Sequence, residues 1–87
     1  MPSAIALVTG ATEGIGRATA LALGRAGYGV GVCARTGPRV EALVAVLSAE
    51  GILAASCAVD VGDPAAVHAL VERVSTELGP IDLLVNP

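Results

Sequence analysis

Hydrophobic positions along this chain alternate between strand-like and helix-like spacing. Residues 4–8, Ala-Ile-Ala-Leu-Val, form a short unbroken apolar run, which predicts a first strand buried on both faces. From Ile15 the spacing lengthens. Ile15, Thr19, Ala22, Leu23 and Ala26 recur at helical intervals, and Gly27 follows as the C-cap. Residues 29–33 read as a second strand. Pro38 then occupies a first helical position behind Thr36-Gly37, and Val40, Leu43, Val44 and Leu47 trace i, i+3, i+4, i+7 until Gly51. Residues 53–59 predict a third strand. Asp63-Pro64 opens a third helix, with Asp as N-cap and Pro at N1. Its apolar stripe is Val67, Leu70, Val71, Val74 and Leu78, and Gly79-Pro80 stops it. Residues 81–85 make the fourth strand, followed by Asn86-Pro87.

The order is β-α-β-α-β-α-β with short connections. Right-handed crossovers make all four strands parallel, in the order 3-2-1-4. The fold class is therefore α/β: a Rossmann-like parallel sheet, the mononucleotide-binding half of a doubly wound fold plus one strand past the switch point. No repeat, linker or low-complexity segment divides residues 1–87, so one domain is expected.

Composition narrows this reading. The chain is 54% hydrophobic and only 15% charged, which excludes disorder. Its apolar side chains are mainly Ala, Val and Leu, with one Tyr and no Phe or Trp. Small and β-branched residues suit helices packed closely on a buried parallel sheet. The net charge of −3 and the near absence of aromatics argue against nucleic acid, which would want a basic face and stacking platforms. No apolar run reaches membrane-spanning length and no signal peptide is evident, so a cytoplasmic location is expected. Cys33 and Cys57 each fall in a predicted strand, and they come close if strands two and three are neighbours. They read as buried, reduced thiols, with a disulfide or redox role as the alternative. Neither has the neighbouring ligands that a metal site needs.

The candidate chemistry lies between the first strand and the first helix. Gly10, Gly14 and Gly16 are spaced G-x-x-x-G-x-G. Gly10 permits a sharp turn, Gly14 lets the backbone approach a pyrophosphate, and Gly16 lets the helix lie against the strand. Thr12 can offer a hydroxyl to a phosphate or brace the turn. Backbone N–H groups at the head of such a helix face outward, where a phosphate is the usual occupant.

The stretch Thr9-Gly10-Ala11-Thr12-Glu13-Gly14-Ile15-Gly16 resembles the T-G-x-x-x-G-I-G fingerprint of the short-chain dehydrogenase/reductase family. Further matches follow in order: Cys33-Ala34-Arg35, Asp60-Val61, and Asp82-Leu83-Leu84-Val85-Asn86, which is similar to the start of the family's D-x-L-V-N-N-A-G segment. The resemblance covers the whole chain but only the first third or so of a typical member. It implies a dinucleotide site formed by Gly10, Thr12, Glu13, Gly14, Ile15 and Gly16 around the phosphates. Arg35 and Thr36 would lie near the ribose, Asp60 and Val61 around the adenine, and Asn86 near the centre of the sheet. Ala34 stands where NAD-preferring relatives carry Asp. Arg35, 19 residues beyond Gly16, supplies a fork-shaped cation for a 2′-phosphate, and Arg39 can assist. NADP rather than NAD is therefore the expected cofactor. Two positions depart from the family pattern. Glu13 stands where many NADP-dependent relatives carry a basic residue, and Pro87 stands in place of the second Asn.

Relatives of this kind transfer hydride between NADP(H) and an alcohol or carbonyl substrate, using a Ser and a Tyr followed four residues later by Lys. This chain contains no Lys, and its one Tyr, Tyr28, falls in the turn before the second strand, at the opposite edge from the phosphate turn. His68, on the third helix, has no Ser placed to meet it. No catalytic residue is therefore expected within these 87 residues. Three readings remain open: the N-terminal, cofactor-binding portion of an NADP-dependent short-chain oxidoreductase; a non-catalytic nucleotide-binding or interaction module complete at this length; and half of another Rossmann-like enzyme, such as an S-adenosylmethionine-dependent methyltransferase. Arg35 speaks against the third. With strand four as an open edge, a chain this apolar is expected to self-associate.

Overall fold

The computed structural model describes residues 4–10, 14–35, 37–58 and 62–86, without the side chains of 57 and 58. The elements are β1 (Ala4–Thr9), α1 (Gly14–Arg25), β2 (Tyr28–Ala34), α2 (Gly37–Ala49), β3 (Ala54–Ala58), α3 (Pro64–Glu77) and β4 (Leu83–Val85). All neighbouring strands pair in parallel, and the sheet order is β3-β2-β1-β4, as the crossover rule requires.

The two faces of the sheet carry separate cores. Toward α1 and α2 lie Val8, Val30, Val32, Ala20, Val40, Leu43 and Leu47. Toward α3 lie Ile5, Leu7, Cys33, Leu70 and Val74. Successive residues of a strand point to opposite faces, so one continuous apolar run in β1 supplies both cores. Of the stripes predicted for α2 and α3, Val40, Leu43 and Leu47 are buried on one helix and Leu70 and Val74 on the other, with Val44, Val67 and Leu78 half-buried; Val71, expected in the α3 stripe, is instead exposed. Burying a side chain such as Leu47 or Leu70 contributes about 1.5–3 kcal/mol.

The predicted face of α1 agrees with the observed one only in part: Leu23 packs half-buried against the α1–α2 core and Thr19 is half-buried. Ile15 is 77% exposed, and Ala22 and Ala26 face solvent. The buried positions are Gly16, Ala20 and Gly24. The helix lies so close to its neighbours that glycine and alanine form the contact. A carbon added at Gly24 would sit 2.7 Å from Cδ1 and 2.8 Å from Cγ2 of Ile52. A pattern that weights bulky apolar side chains misses a seam made of the smallest ones.

Boundaries differ elsewhere by a residue or two. Tyr28 is the first residue of β2, half-buried against the α1–α2 core, and not part of a turn. β4 begins at Leu83 and not at 81, and Asp82 just ahead of it bonds to β1 through both its side chain and its backbone. The Ile5 N–H donates to Asp82 Oδ2 at 2.9 Å, while the Asp82 N–H donates to the Ile5 carbonyl at 2.8 Å. The start of α3 is as predicted: Asp63 is the N-cap and its carboxylate accepts from the Ala65 N–H at 3.0 Å.

Candidate functional site

β1 ends at Thr9 and the chain turns at Gly10. Gly10 has φ +60° and Gly14 φ +56°, both in the left-handed region where a side chain is costly. A carbon added at either position would meet no atom of the described residues within 4 Å, its chain neighbours aside. Among the described residues, glycine is thus called for by the backbone and not by crowding. α1 starts at Gly14, so its first N–H groups border that space. Its first turn holds no acidic residue to satisfy them. Gly16 is buried against the sheet, and Ile15 projects outward beside the turn.

Two further predicted residues lie at this same end of the sheet. Arg35 is exposed at the bend that follows β2. Asn86 follows β4, and its Oδ1 accepts a hydrogen bond from Thr9 Oγ1 at 2.6 Å. The Thr9 hydroxyl also lies 3.4 Å from the Val85 carbonyl oxygen. Parallel strands bring these ends together because β1, β2 and β4 all point the same way. Thr12, Glu13, Thr36, Asp60 and Val61 lie outside the described residues.

The Thr9–Asn86 clasp is a supporting element that the sequence reading did not single out. Its one visible signal was a hydroxyl-bearing residue closing an apolar strand just before Gly10. The clasp holds Asn86 beside the turn and engages its carbonyl oxygen. Below it, Leu7, Val67, Leu70, Val71, Ile81 and Leu84 line an apolar cleft of about 280 Å³ that reaches Thr9 and Asn86.

A larger concavity of about 660 Å³ lies at the opposite end of the sheet, bordered by Gly24, Arg25, Tyr28, Glu50 and Ile52. There α1 and α2 present their C-terminal carbonyls, which repel anions. Arg25 and Glu50 face each other across it at 2.8 and 2.9 Å. That hydrogen-bonded pairing holds the Glu50 carboxyl below its ordinary range and raises the Arg25 guanidinium. Its polarity is wrong for a phosphate. His68 is exposed and 3.1 Å from Glu72, and Arg73 is 3.3 Å from Glu77, so these charges dress the outer face of α3. Among the described residues, no group of three or more His, Cys, Asp and Glu is arranged to hold a metal, and no helix is long and apolar enough to cross a membrane.

A doubly wound sheet with a glycine turn between β1 and α1 defines a nucleotide-binding α/β protein. The family model for short chain dehydrogenases matches residues 4–87, and the chain belongs to that family. A short chain dehydrogenase of Pseudocercospora fijiensis is 46% identical over 81 residues, which is 93% of this chain and 26% of that protein. Among solved structures, an actinorhodin polyketide ketoreductase variant with NADPH superposes over the whole chain with a TM-score of 0.94 at 40% identity, and the match covers 34% of the ketoreductase. L-Sorbose reductase from Gluconobacter frateurii, complexed with NADPH and L-sorbose, gives 0.92 at 33% identity, again over the whole chain and 34% of the reductase. The chain therefore spans about a quarter to a third of the length of these relatives.

Proposed function

We propose that residues 1–87 are the dinucleotide-binding portion of an NADP-dependent short-chain oxidoreductase. The observation that carries this reading is the open cradle over Gly10 and Gly14 at the head of α1, with Arg35 and Asn86 at the same end of the sheet. Backbone N–H groups of the turn and of α1 would receive the pyrophosphate. Gly14 and Gly16 keep the backbone close to it, and Ile15 packs beside it. Thr12 and Glu13 complete the turn in sequence. Arg35, assisted by Thr36, would pair with the 2′-phosphate, a role for which a guanidinium fork is suited and a carboxylate is not. Asp60 and Val61 would take the adenine. Asn86, steadied by Thr9, would support the adenosine ribose. Two of the solved relatives are NADPH complexes, which supports the same cofactor here.

Bound NADP(H) supplies hydride exchange with an alcohol or carbonyl carbon. This chain's share is to bind and orient the dinucleotide. Tyr28 is at the far end of β2 from the cradle, and the chain has no Lys, so this reading assigns no proton-transferring role to residues 1–87.

Calorimetric titration tests the reading. The chain is expected to bind NADPH more tightly than NADH. Arg35→Asp is expected to weaken NADPH roughly tenfold or more, the scale of one lost charge-assisted contact, and to favour NADH. Equal affinities before and after the substitution would remove Arg35 from the site.

A further inference from the structure

The ladder between β2 and β3 sets Cys33 directly against Cys57 and Ala34 against Ala58 at its last two rungs. Neighbouring strands lie about 4.8 Å apart. That separation falls inside the roughly 4.4–6.8 Å span of Cα atoms that a disulfide bridges. β3 is an open edge of the sheet, and three of its five residues are alanine. A short edge strand with few large side chains opens locally at low cost. Two residues beyond Cys33 comes Arg35, and three beyond Cys57 comes Asp60. These are the strand-end residues to which the cofactor's adenosine half is assigned above.

We propose that Cys33 and Cys57 form a reversible cross-strand disulfide in response to a small oxidant of the peroxide class, and that this bond weakens dinucleotide binding; the second part rests on the cofactor reading above. One thiolate attacks the peroxide. An S–O bond forms, the O–O bond breaks, and water leaves once the departing oxygen is protonated. The second thiolate attacks the resulting sulfenic sulfur. The S–S bond forms, the S–O bond breaks, and a second water leaves. The sulfurs lose a pair of electrons and the peroxide gains it.

Burial selects the oxidant. Cys33 is wholly buried among Ile5, Leu7, Leu70 and Val74, so peroxide reaches it on local opening while a bulky disulfide such as oxidised glutathione does not. Adjacency sets reversibility. A strand spacing of about 4.8 Å is shorter than the roughly 5.5–6 Å Cα separation that disulfides favour, and a bond formed under that strain is easily reduced. Closing it shifts the ends of β2 and β3, which Arg35 and Asp60 follow in the sequence.

The test uses the 87-residue chain, reduced and then treated with hydrogen peroxide. It is expected to lose both alkylatable thiols with a mass change of about −2 Da and to recover both with dithiothreitol. While oxidised, it is expected to bind NADPH roughly tenfold more weakly. Oxidised glutathione is expected to leave both thiols alkylatable. Cys57→Ser, on the edge strand, is expected to keep its NADPH affinity after peroxide. Persistent thiols, sulfinic acid in place of the bridge, a disulfide-linked dimer, or a bridged chain with unchanged NADPH affinity would each overturn the proposal. A reduced chain that does not bind NADPH defeats the cofactor reading alone, because the mass change still decides the disulfide.

Discussion

Replacing Gly24 by alanine sets two physical effects against each other. In a helix interior alanine is favoured over glycine by about 0.5–1 kcal/mol, since it restricts the unfolded chain. Propensity therefore expects Gly24→Ala to stabilise α1. The packing expects the reverse. The new carbon would lie 2.7 Å from Cδ1, 2.8 Å from Cγ2 and 3.2 Å from Cγ1 of Ile52. Ordinary carbon–carbon contacts begin about 0.7 Å or more further out. Only Cδ1 is the mobile end of that side chain. Cγ1 and Cγ2 branch from Cβ, so clearing both requires a change in χ1, which a β-branched residue resists. Ile52 also packs against the α1–α2 core, which limits its retreat. Overpacking of this kind costs about 1–3 kcal/mol. The net expectation is a loss of about 0.5–2 kcal/mol once the helix-propensity gain is subtracted.

The measurement is urea unfolding followed by far-ultraviolet circular dichroism, at a protein concentration low enough to limit association. Gly24→Ala should lower the midpoint without changing the slope. A loss of 1 kcal/mol corresponds to about 4–8 °C in Tm for a domain of this size. Ile52→Ala removes all three offending atoms. In that background Gly24→Ala should become neutral or stabilising, giving a coupling energy of about 1 kcal/mol or more in a double-mutant cycle. A raised midpoint in the single variant, or strict additivity in the double, would refute the claim that the α1 seam is closed by contact with Ile52.

Three other substitutions probe separate links. Asp82→Ala should destabilise by about 1 kcal/mol, because the Ile5 N–H at the start of β1 loses its carboxylate acceptor; thermal unfolding reads this. Asp63→Ala should cost about 0.5–2 kcal/mol through loss of the α3 N-cap, and Asp63→Ser should restore most of it in the same assay. Glu50 is held below its usual carboxylate range by its hydrogen bonds from Arg25, so its contribution is present above the ordinary value of 4.5 and is lost as pH falls through the lower folded value. The pair is solvent-exposed, and the effect is therefore small. Unfolding midpoints measured across acidic pH should fall slightly less steeply for Glu50→Gln than for the parent chain, and identical slopes would remove the linkage.

The sheet order and the positions of all seven elements were legible in the sequence because each signal was local. Apolar runs marked strands, periodic stripes marked α2 and α3, and Asp63-Pro64 and the glycines marked ends. The face of α1 was not legible in the same way. Hydrophobic periodicity registers large side chains, and the fully buried residues of this helix are Gly16, Ala20 and Gly24. Ile15, a large member of the expected stripe, is instead the most exposed large apolar residue among the described residues. The clasps from β1 to β4 were hidden for another reason. Thr9 and Asn86, or Ile5 and Asp82, are separated by 77 residues, and only their side chains reveal the contact. Gly10, Gly14, Gly16, Arg35 and Asn86 could be placed at one end of the sheet in advance, since parallel topology alone puts the strand ends there.

The hidden features explain how the visible ones hold their places. β4 pairs with β1 over only three residues and is the last strand of the sheet on its side among the described residues. A ladder so short would fray if it depended on backbone bonds alone. Side chains close it at both ends: Asp82 on Ile5 at one end, Thr9 on Asn86 at the other. Thr9 is also the last residue before the Gly10 turn, so the second clasp ties β4 to the same point from which the cradle springs. On the other side of that point, the small-residue seam lays α1 against the sheet and fixes the direction of its first N–H groups. The glycines supply a permissive backbone, but it is the clasp and the seam that give the turn one orientation. Loss of the Asp82 clasp should therefore loosen Asn86 and the cradle together, at a distance of the full strand.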